Sequence, residues 1–315
     1  MLTTRKTPTG HQRTMVEVDL VLETIFKLGG LDLRQYAKTS VLRQIQEHCE
    51  QLSLNSICDL IPRIIADDGQ LETLIDALVV KTSHFYRDPE CYRLMVDEVF
   101  PVLADKDEVR IWIAGCGGGQ EILSLAILLH ENYLLDKATI YATDINALAL
   151  REAEKCAVAE TYKCEFVSGY QEAGGQLRPE DYFIIDQGWM MFPTDLMANV
   201  QLVQHDVIHD DPMDHIDMVI CRNVLMYYNR TLRNRALQQM KNALIPRGYI
   251  CLGSRESLSQ SPLDDEFEPL KKQYRLFRQM APDADHPVLR VTRRQNQIRT
   301  VTHAPAQLGL PKPIE

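Results

Sequence analysis

The chain has 315 residues, 45% of them apolar, which is enough for about two domains with substantial cores. A formal net charge of −10 argues against wholesale nucleic-acid binding, which needs clustered Lys and Arg to release counterions. The eight cysteines contain no C-x-x-C pair, so neither a zinc site nor a disulfide framework is suggested, and reduced thiols in a cytoplasm fit best. The start, Met-Leu-Thr-Thr-Arg-Lys-Thr-Pro, lacks an apolar signal core, and no apolar run reaches the ~18 residues of a membrane span. The expectation is a protein that is neither exported nor inserted in a membrane.

Residues 1–14 are polar and are expected to be flexible. From residue 16 to about 80 the apolar positions recur at three and four, which predicts helices over 16–28, 40–52, 56–67 and 70–80. Gly29-Gly30 and Asp67-Asp68-Gly69 punctuate the series, so residues 15–85 are expected to form a small all-α domain. Its mixed set of Arg34, Lys38, Arg43, Gln44, Gln46 and Glu47 reads as a solvated helix face. The stretch Thr82-Ser-His-Phe-Tyr-Arg-Asp-Pro89 then forms a junction. Pro89 disfavours helix at Asp88, which puts Arg87 where the backbone breaks. A helix over 90–103 follows.

Arg110-Ile-Trp-Ile-Ala-Gly-Cys-Gly-Gly-Gly-Gln-Glu121 organises the rest: a buried strand, a glycine turn and the start of a helix. The glycines permit positive φ and a close approach to bare backbone. A second apolar strand, 138–145, ends with Asp144, 25 residues beyond Gly119. A carboxylate placed there accepts hydrogen bonds from both hydroxyls of a ribose, as in dinucleotide-binding folds. A nicotinamide enzyme would usually show G-x-G-x-x-G, and the sixth place here is Gln120.

A helix is expected over 147–159. Residues 161–200 mix aromatics with glycines and are expected to be a small antiparallel β-insertion in an α/β domain spanning 86–280. Another strand, 200–206, ends in Asp206. The run His205, His209, Asp210, Asp211, Asp214 and His215 fits no fixed metal cage and reads as a solvated acidic turn, so no metal is expected. A buried strand from 217 ends in Cys221, with Arg222 and Asn223 at its carboxyl end, where open α/β sheets bind ligands. A helix over 229–244, a strand over 249–253 and a pair of strands within 266–279 complete the domain. Residues 281–315 lack periodicity and are expected to be disordered.

The order Phe85-Tyr-Arg87, Ala114-Gly-Cys-Gly-Gly-Gly-Gln-Glu121, Ala142-Thr-Asp-Ile145 and Cys221-Arg-Asn-Val-Leu-Met-Tyr227 resembles the chemoreceptor glutamate methyltransferases, the CheR family, over roughly residues 20–280. The resemblance implies a small all-α domain followed by an α/β, Rossmann-like class I methyltransferase domain with a small antiparallel β-insertion. It also implies S-adenosyl-L-methionine as cofactor and O-methylation of glutamate side chains on the cytoplasmic helices of chemoreceptors or a related signalling protein. Carried over by motif, it gives Asp144 the ribose hydroxyls and Glu121 the methionine end of the cofactor. Ser83 stands where a cofactor-contacting threonine is usual, and Asp206 and Val207 match a loop flanking the adenine. Arg222 and Asn223 match cofactor contacts after the strand, while Arg87 and Tyr227 match the two residues lining the methyl-transfer centre, with Arg87 counted among the cofactor contacts as well.

The chain departs from the family where Ser-Thr-Gly-Glu-Glu-Pro-Tyr-Ser is common: here the glycine loop reads Gly117-Gly-Gly-Gln-Glu-Ile-Leu-Ser124. Lys81 stands where asparagine is frequent, and Gln44, Gln46 and Glu47 dilute the basic receptor-facing helix. These changes bear on cofactor affinity and on the acceptor. The alternatives are a CheR-like enzyme with another protein or small-molecule acceptor, and a non-catalytic cofactor-binding regulatory module.

Overall fold

The computed structural model describes residues 10–79 and 83–280. It divides into two compact units, the first made of the N-terminal residues together with Met226–Leu232, the second of the remainder.

Among the described residues the first unit is built from α1 (Gly10–Gly29), α2 (Lys38–Gln51), α3 (Leu60–Ala66) and α4 (Asp68–Leu78). Val18, Val21, Leu22 and Ile25 recur at the spacing of one helix face and are fully buried against residues such as Ile45, Leu60 and Leu74. Among the described residues α1 already runs from Gly10, ahead of the apolar periodicity, and its first turn is polar and exposed. Residues 10–14, expected to be flexible, are therefore helical, and residues 1–9 lie outside the described set. The single helix expected over 56–67 is split. Ser56 Oγ accepts from the Cys58 N–H and Asp59 Oδ2 from the Ser56 N–H, a capping box that winds a 3-10 turn at Ile57–Asp59 before α3. Residues 226–232 join this unit through an antiparallel bridge of Tyr36 with Tyr228, whose rings meet edge to face at 5.0 Å.

The second unit opens with α5 (Pro89–Leu94), a π-helical turn at Met95–Val99 and α6 (Phe100–Ala104). One unbroken helix was expected there. Pro101 has no N–H to donate back along the helix, and the turn before it widens. Next come β1 (Val109–Ala114), α7 (Gln120–Glu131), β2 (Ala138–Asp144) and α8 (Ala147–Glu154). After these lie β3 (Ala157–Ala159), α9 (Lys163–Glu172), β4 (Ile184–Asp186) and β5 (Trp189–Met191). Last among the described residues come β6 (Val200–Gln204), β7 (Ile216–Cys221), α10 (Arg230–Ala243), β8 (Leu244–Leu252), β9 (Phe267–Pro269) and β10 (Leu276–Gln279).

The main sheet has the order β6-β2-β1-β7-β8-β10-β9. Its first five strands are parallel, while β10 runs antiparallel to both β8 and β9. Ile111 of β1 lies between Ile140 of β2 and Met218 of β7. Helices cover both faces of a sheet of this kind, which is why β1 and β7 read as continuous apolar runs. The order reverses between β1 and β7, so a crevice opens at their carboxyl ends. Strand β8 starts earlier than expected, at Leu244. A register shift opposite Ile216 and Met218, with Arg247 at φ 65, accommodates Pro246.

The insertion differs most from expectation. Helix α8 stops at Glu154, Cys156 takes a left-handed φ of 50, and residues 157–159 become a strand of a second sheet, β3-β5-β4. Residues 163–172, expected as strand, form α9 because Phe166 and Tyr170 are four apart and share one buried face. Among the described residues, no helix is long and apolar enough to cross a membrane.

Candidate functional site at the carboxyl ends of β1 and β7

Two glycines set the turn after β1. Gly115 has φ +84, and a Cβ there would lie 2.4 Å from Val224 Cγ2; Gly119 has φ +95 and would meet Ala153 of α8 at 2.9 Å. The crowding atoms belong to the protein itself, so these two glycines serve turn geometry and packing. The turn is pinned to β2 by N–H groups of Gly115 and Cys116, both donating to the Thr143 carbonyl at 2.7 and 2.9 Å.

Asp144, at the end of β2, is 7% exposed. Its Oδ2 accepts from the Gly117 N–H at 2.9 Å and its Oδ1 from the Asn146 N–H at 2.8 Å. Burial raises its pKa above the ordinary aspartate value, opposed by those backbone donors. Each oxygen keeps a second lone pair for a ligand hydroxyl. The next strand over, β6, places Asp206 and Val207 beside it, since the His205 N–H donates to the Asp144 carbonyl at 3.0 Å. The Asp206 carboxylate is engaged within its own turn, by the Ile208 N–H and by His209 Nδ1 at 2.7 Å. Val207 is buried.

Glu121 and Arg222 form the charged centre, 7% and 5% exposed. Glu121 Oε1 accepts from Arg222 Nη1 and from the Tyr92 hydroxyl, both at 3.1 Å, and Oε2 has no hydrogen-bond partner among the described residues. The Glu121 N–H donates to Ser83 Oγ at 3.2 Å. Arg222 Nη2 donates to Asp88 Oδ2 at 2.8 Å and to the Arg87 carbonyl, and its guanidinium lies 5.2 Å from the Tyr92 ring centre. Burial pushes the Tyr92 phenol well above its usual pKa, so it stays a neutral donor. Burial likewise raises the Cys116 and Cys221 thiols well above their ordinary range, which leaves neither as a nucleophile near neutral pH.

The Arg87 junction is held in an uncommon conformation. Tyr86 (φ 44) and Asp88 (φ 52) are both left-handed, a state that costs about 1–3 kcal/mol per non-glycine residue and persists only where the surroundings enforce it. Ser124 Oγ accepts from the Tyr86 N–H at 3.1 Å, and the Arg222 contacts fix the other side. The half-buried Arg87 guanidinium has no hydrogen bond or ion pair among the described residues. Asn223 (φ 60) is fixed through its N–H, which donates to Glu256 Oε2 at 2.9 Å, and the Gly253 N–H donates to the same oxygen at 2.8 Å.

The structure therefore brings together Ser83, Arg87, Glu121 and Arg222, with Asp144 at the adjoining turn and Asn223 after β7. Tyr227 lies in the segment that groups with the helical unit, where its carbonyl accepts from the Ala37 N–H at 2.8 Å. Sequence reasoning missed Asp88, Tyr92, Ser124 and Glu256. Only Ser124 carried a signal, lying four residues beyond Gln120, whose carbonyl it caps at 2.7 Å. Among the described residues, no group of three or more His, Cys, Asp or Glu is arranged to hold a metal.

A Rossmann-like sheet with a glycine turn after β1 and a buried carboxylate after β2 defines a nucleoside-cofactor-binding domain. Family models agree in detail: residues 81–275 match the CheR methyltransferase SAM-binding domain, and residues 17–79 match the CheR methyltransferase all-alpha domain. The chain belongs to the CheR methyltransferase family, and its cofactor is S-adenosylmethionine. It is 34% identical over 270 residues to a protein of Pseudomonas putida named as a candidate methyltransferase, Cher3, covering 86% of this chain and 99% of that one. Chemotaxis protein methyltransferases of Vibrio parahaemolyticus (28% identical; 76% of this chain, 86% of that one) and Pseudomonas aeruginosa (27%; 73% and 84%) are also similar. The residues fit the cofactor: around the turn, Gln120 Oε1 is a buried acceptor and Glu121 Oε2 a carboxylate oxygen, both without a partner among the described residues, and Asp144 presents a carboxylate.

Proposed function

We propose that this protein forms methyl esters on glutamate side chains of chemoreceptors, or of a related signalling protein, in chemotaxis adaptation, and that it works in the cytoplasm. The observation that carries the reading is Arg87, a half-buried guanidinium without a protein partner among the described residues, on a junction tied to the cofactor-binding Glu121 through Arg222. A guanidinium so placed binds a carboxylate through two parallel hydrogen bonds.

In this reading Asp144 holds the ribose hydroxyls, Glu121 holds the methionine end through Oε2, and Asp206 and Val207 flank the adenine. Ser83 and Asn223 line the crevice. Arg222 orients Glu121 and the junction, since its Nη groups already serve protein acceptors. Tyr227 enters as the residue that orients the acceptor, supported by its match to the family motif. When bound, S-adenosylmethionine supplies an electrophilic methyl group on a sulfonium. The chain itself needs no general base, because a glutamate acceptor is already ionised near neutral pH. Its work is to orient the carboxylate through Arg87 and to exclude water.

The test follows the bond made. Receptor-containing membranes are incubated with the protein and methyl-labelled cofactor, and the labelled receptor is then treated with mild alkali. An ester releases volatile methanol. Alkali-stable label excludes the ester, and no label above a protein-free control moves the reading to a cofactor-binding regulatory module.

A further inference from the structure

We propose that Glu165, on α9 of the insertion, is a positioning residue for Arg87; the inference rests on the reading of Arg87 as the group that holds the acceptor carboxylate. Glu165 Oε1 accepts from the Phe85 N–H at 2.7 Å, and Oε2 meets His84 Nδ1 at 2.9 Å. One carboxylate thus spans the two residues that enter the left-handed stretch at Tyr86 and Asp88.

The face of α9 is shaped for this seat. Gly169 lies four residues after Glu165, on the same side of the helix, and a Cβ there would come within 2.9 Å of Tyr86 Cβ. Phe166, between them, meets the Phe85 ring edge to face at 5.0 Å and the Tyr86 ring at 5.8 Å. The hydrogen bonds and ring contacts fall on the three residues immediately before Arg87, His84 to Tyr86.

The other clamps on this junction arise elsewhere. Ser124 is on α7 and Arg222 follows β7, and both are bound to the cofactor side, Ser124 through the Gln120 carbonyl and Arg222 through Glu121. Glu165 therefore has a distinct assignment: it fixes the acceptor-side arginine and leaves the cofactor contacts alone. Without it, the Phe85 N–H loses its acceptor, the junction is held only from the Ser124 and Arg222 side, and the guanidinium is less firmly placed. A misplacement of about 1 Å at a reacting centre costs about a hundredfold in rate.

The experiment is a double-mutant cycle on the full-length protein with receptor membranes. Glu165→Ala is expected to lower kcat by about ten- to a hundredfold while S-adenosylhomocysteine affinity stays within about twofold of wild type. In an Arg87→Ala background the same change is expected to cost less than about twofold. Glu165→Gln, which keeps an oxygen for the Phe85 N–H, is expected to restore most of the turnover, and Glu165→Asp, too short to span both partners, to restore little. Equal losses in both backgrounds, or a parallel loss of cofactor affinity, overturn the proposal. Amide exchange at Phe85 and Tyr86 needs no acceptor and is expected to speed up by about tenfold in Glu165→Ala, with the Glu121 amide unchanged. If wild type fails to methylate receptors, the glutamate reading falls alone; unchanged exchange in Glu165→Ala overturns the role of Glu165 whatever the acceptor.

Discussion

Arg222 at the crevice and Glu131, at the end of α7 against the insertion, are both charged side chains buried to within a few per cent, and the protein balances them differently. Arg222 is paired with two carboxylates, Glu121 and Asp88, and with the Arg87 carbonyl. Among the described residues Glu131 has no ion pair. It accepts from the Tyr170 and Tyr182 hydroxyls and from the Gln176 and Leu177 N–H groups. Burial, reinforced by Glu131, pushes both phenols above their usual range and keeps them donors. The neutral-donor solution suits a fixed joint between the end of α7 and the insertion. The charge-paired solution links residues whose positions matter to ligands, since moving one member unbalances the others.

The largest expected effect breaks the crevice pair. Arg222→Met leaves the buried Glu121 and the half-buried Asp88 without their cation, and the loss of stability should be about 3–5 kcal/mol, the usual cost of removing one partner of a buried pair such as Arg222–Glu121. Denaturant unfolding measures it, and calorimetry should show cofactor affinity falling at the same time. A variant that lost stability but bound the cofactor normally would show that the charge pairing serves the fold alone.

Glu131→Gln is the matching change at the joint of α7 with the insertion, expected to cost about 1–3 kcal/mol because the amide presents a donor to groups that are themselves donors. Cofactor affinity should be unchanged, and limited proteolysis should nick residues near 173–178 sooner than in wild type. Weakened cofactor binding in this variant would mean that the two regions are coupled and the contrast between them is false.

The two regions also differed in how far they could be read from sequence. The crevice was legible because its chemistry sits in short contiguous motifs. β1 and its glycine turn, Asp144 at the end of β2, and Arg222-Asn223 after β7 all follow apolar strands that announce themselves. The partners were not legible, because Tyr92 and Asp88 reach Arg222 across 130 residues or more of chain. In the insertion the aromatics were visible but their period was misread: Phe166 and Tyr170 mark a helix, and the glycines scattered among the aromatics of 161–200 suggested strands. Glu131 gave no sign, since a glutamate in the last turn of a helix normally reads as solvated.

The smallest expected effect concerns Asp144 and sharpens the contrast through pH. Its folded pKa is raised from the ordinary 3.8, chiefly by burial. In the window between 3.8 and the raised value, the folded state holds this proton more firmly than the unfolded chain. The contribution of Asp144 to stability is therefore greatest at low pH and declines as pH rises through the folded value. Ligand binding has the opposite slope, because ribose hydroxyls donate to the ionised carboxylate. Cofactor affinity of the wild type should thus strengthen by a few-fold as pH rises through that window, while the stability of the cofactor-free protein, taken relative to Asp144→Asn, should fall. Calorimetry with S-adenosylhomocysteine and denaturant melts over the same buffers supply both slopes, and the substituted protein should show a flatter affinity profile. Parallel slopes would place the titration on some other carboxylate and remove Asp144 from the ribose contact.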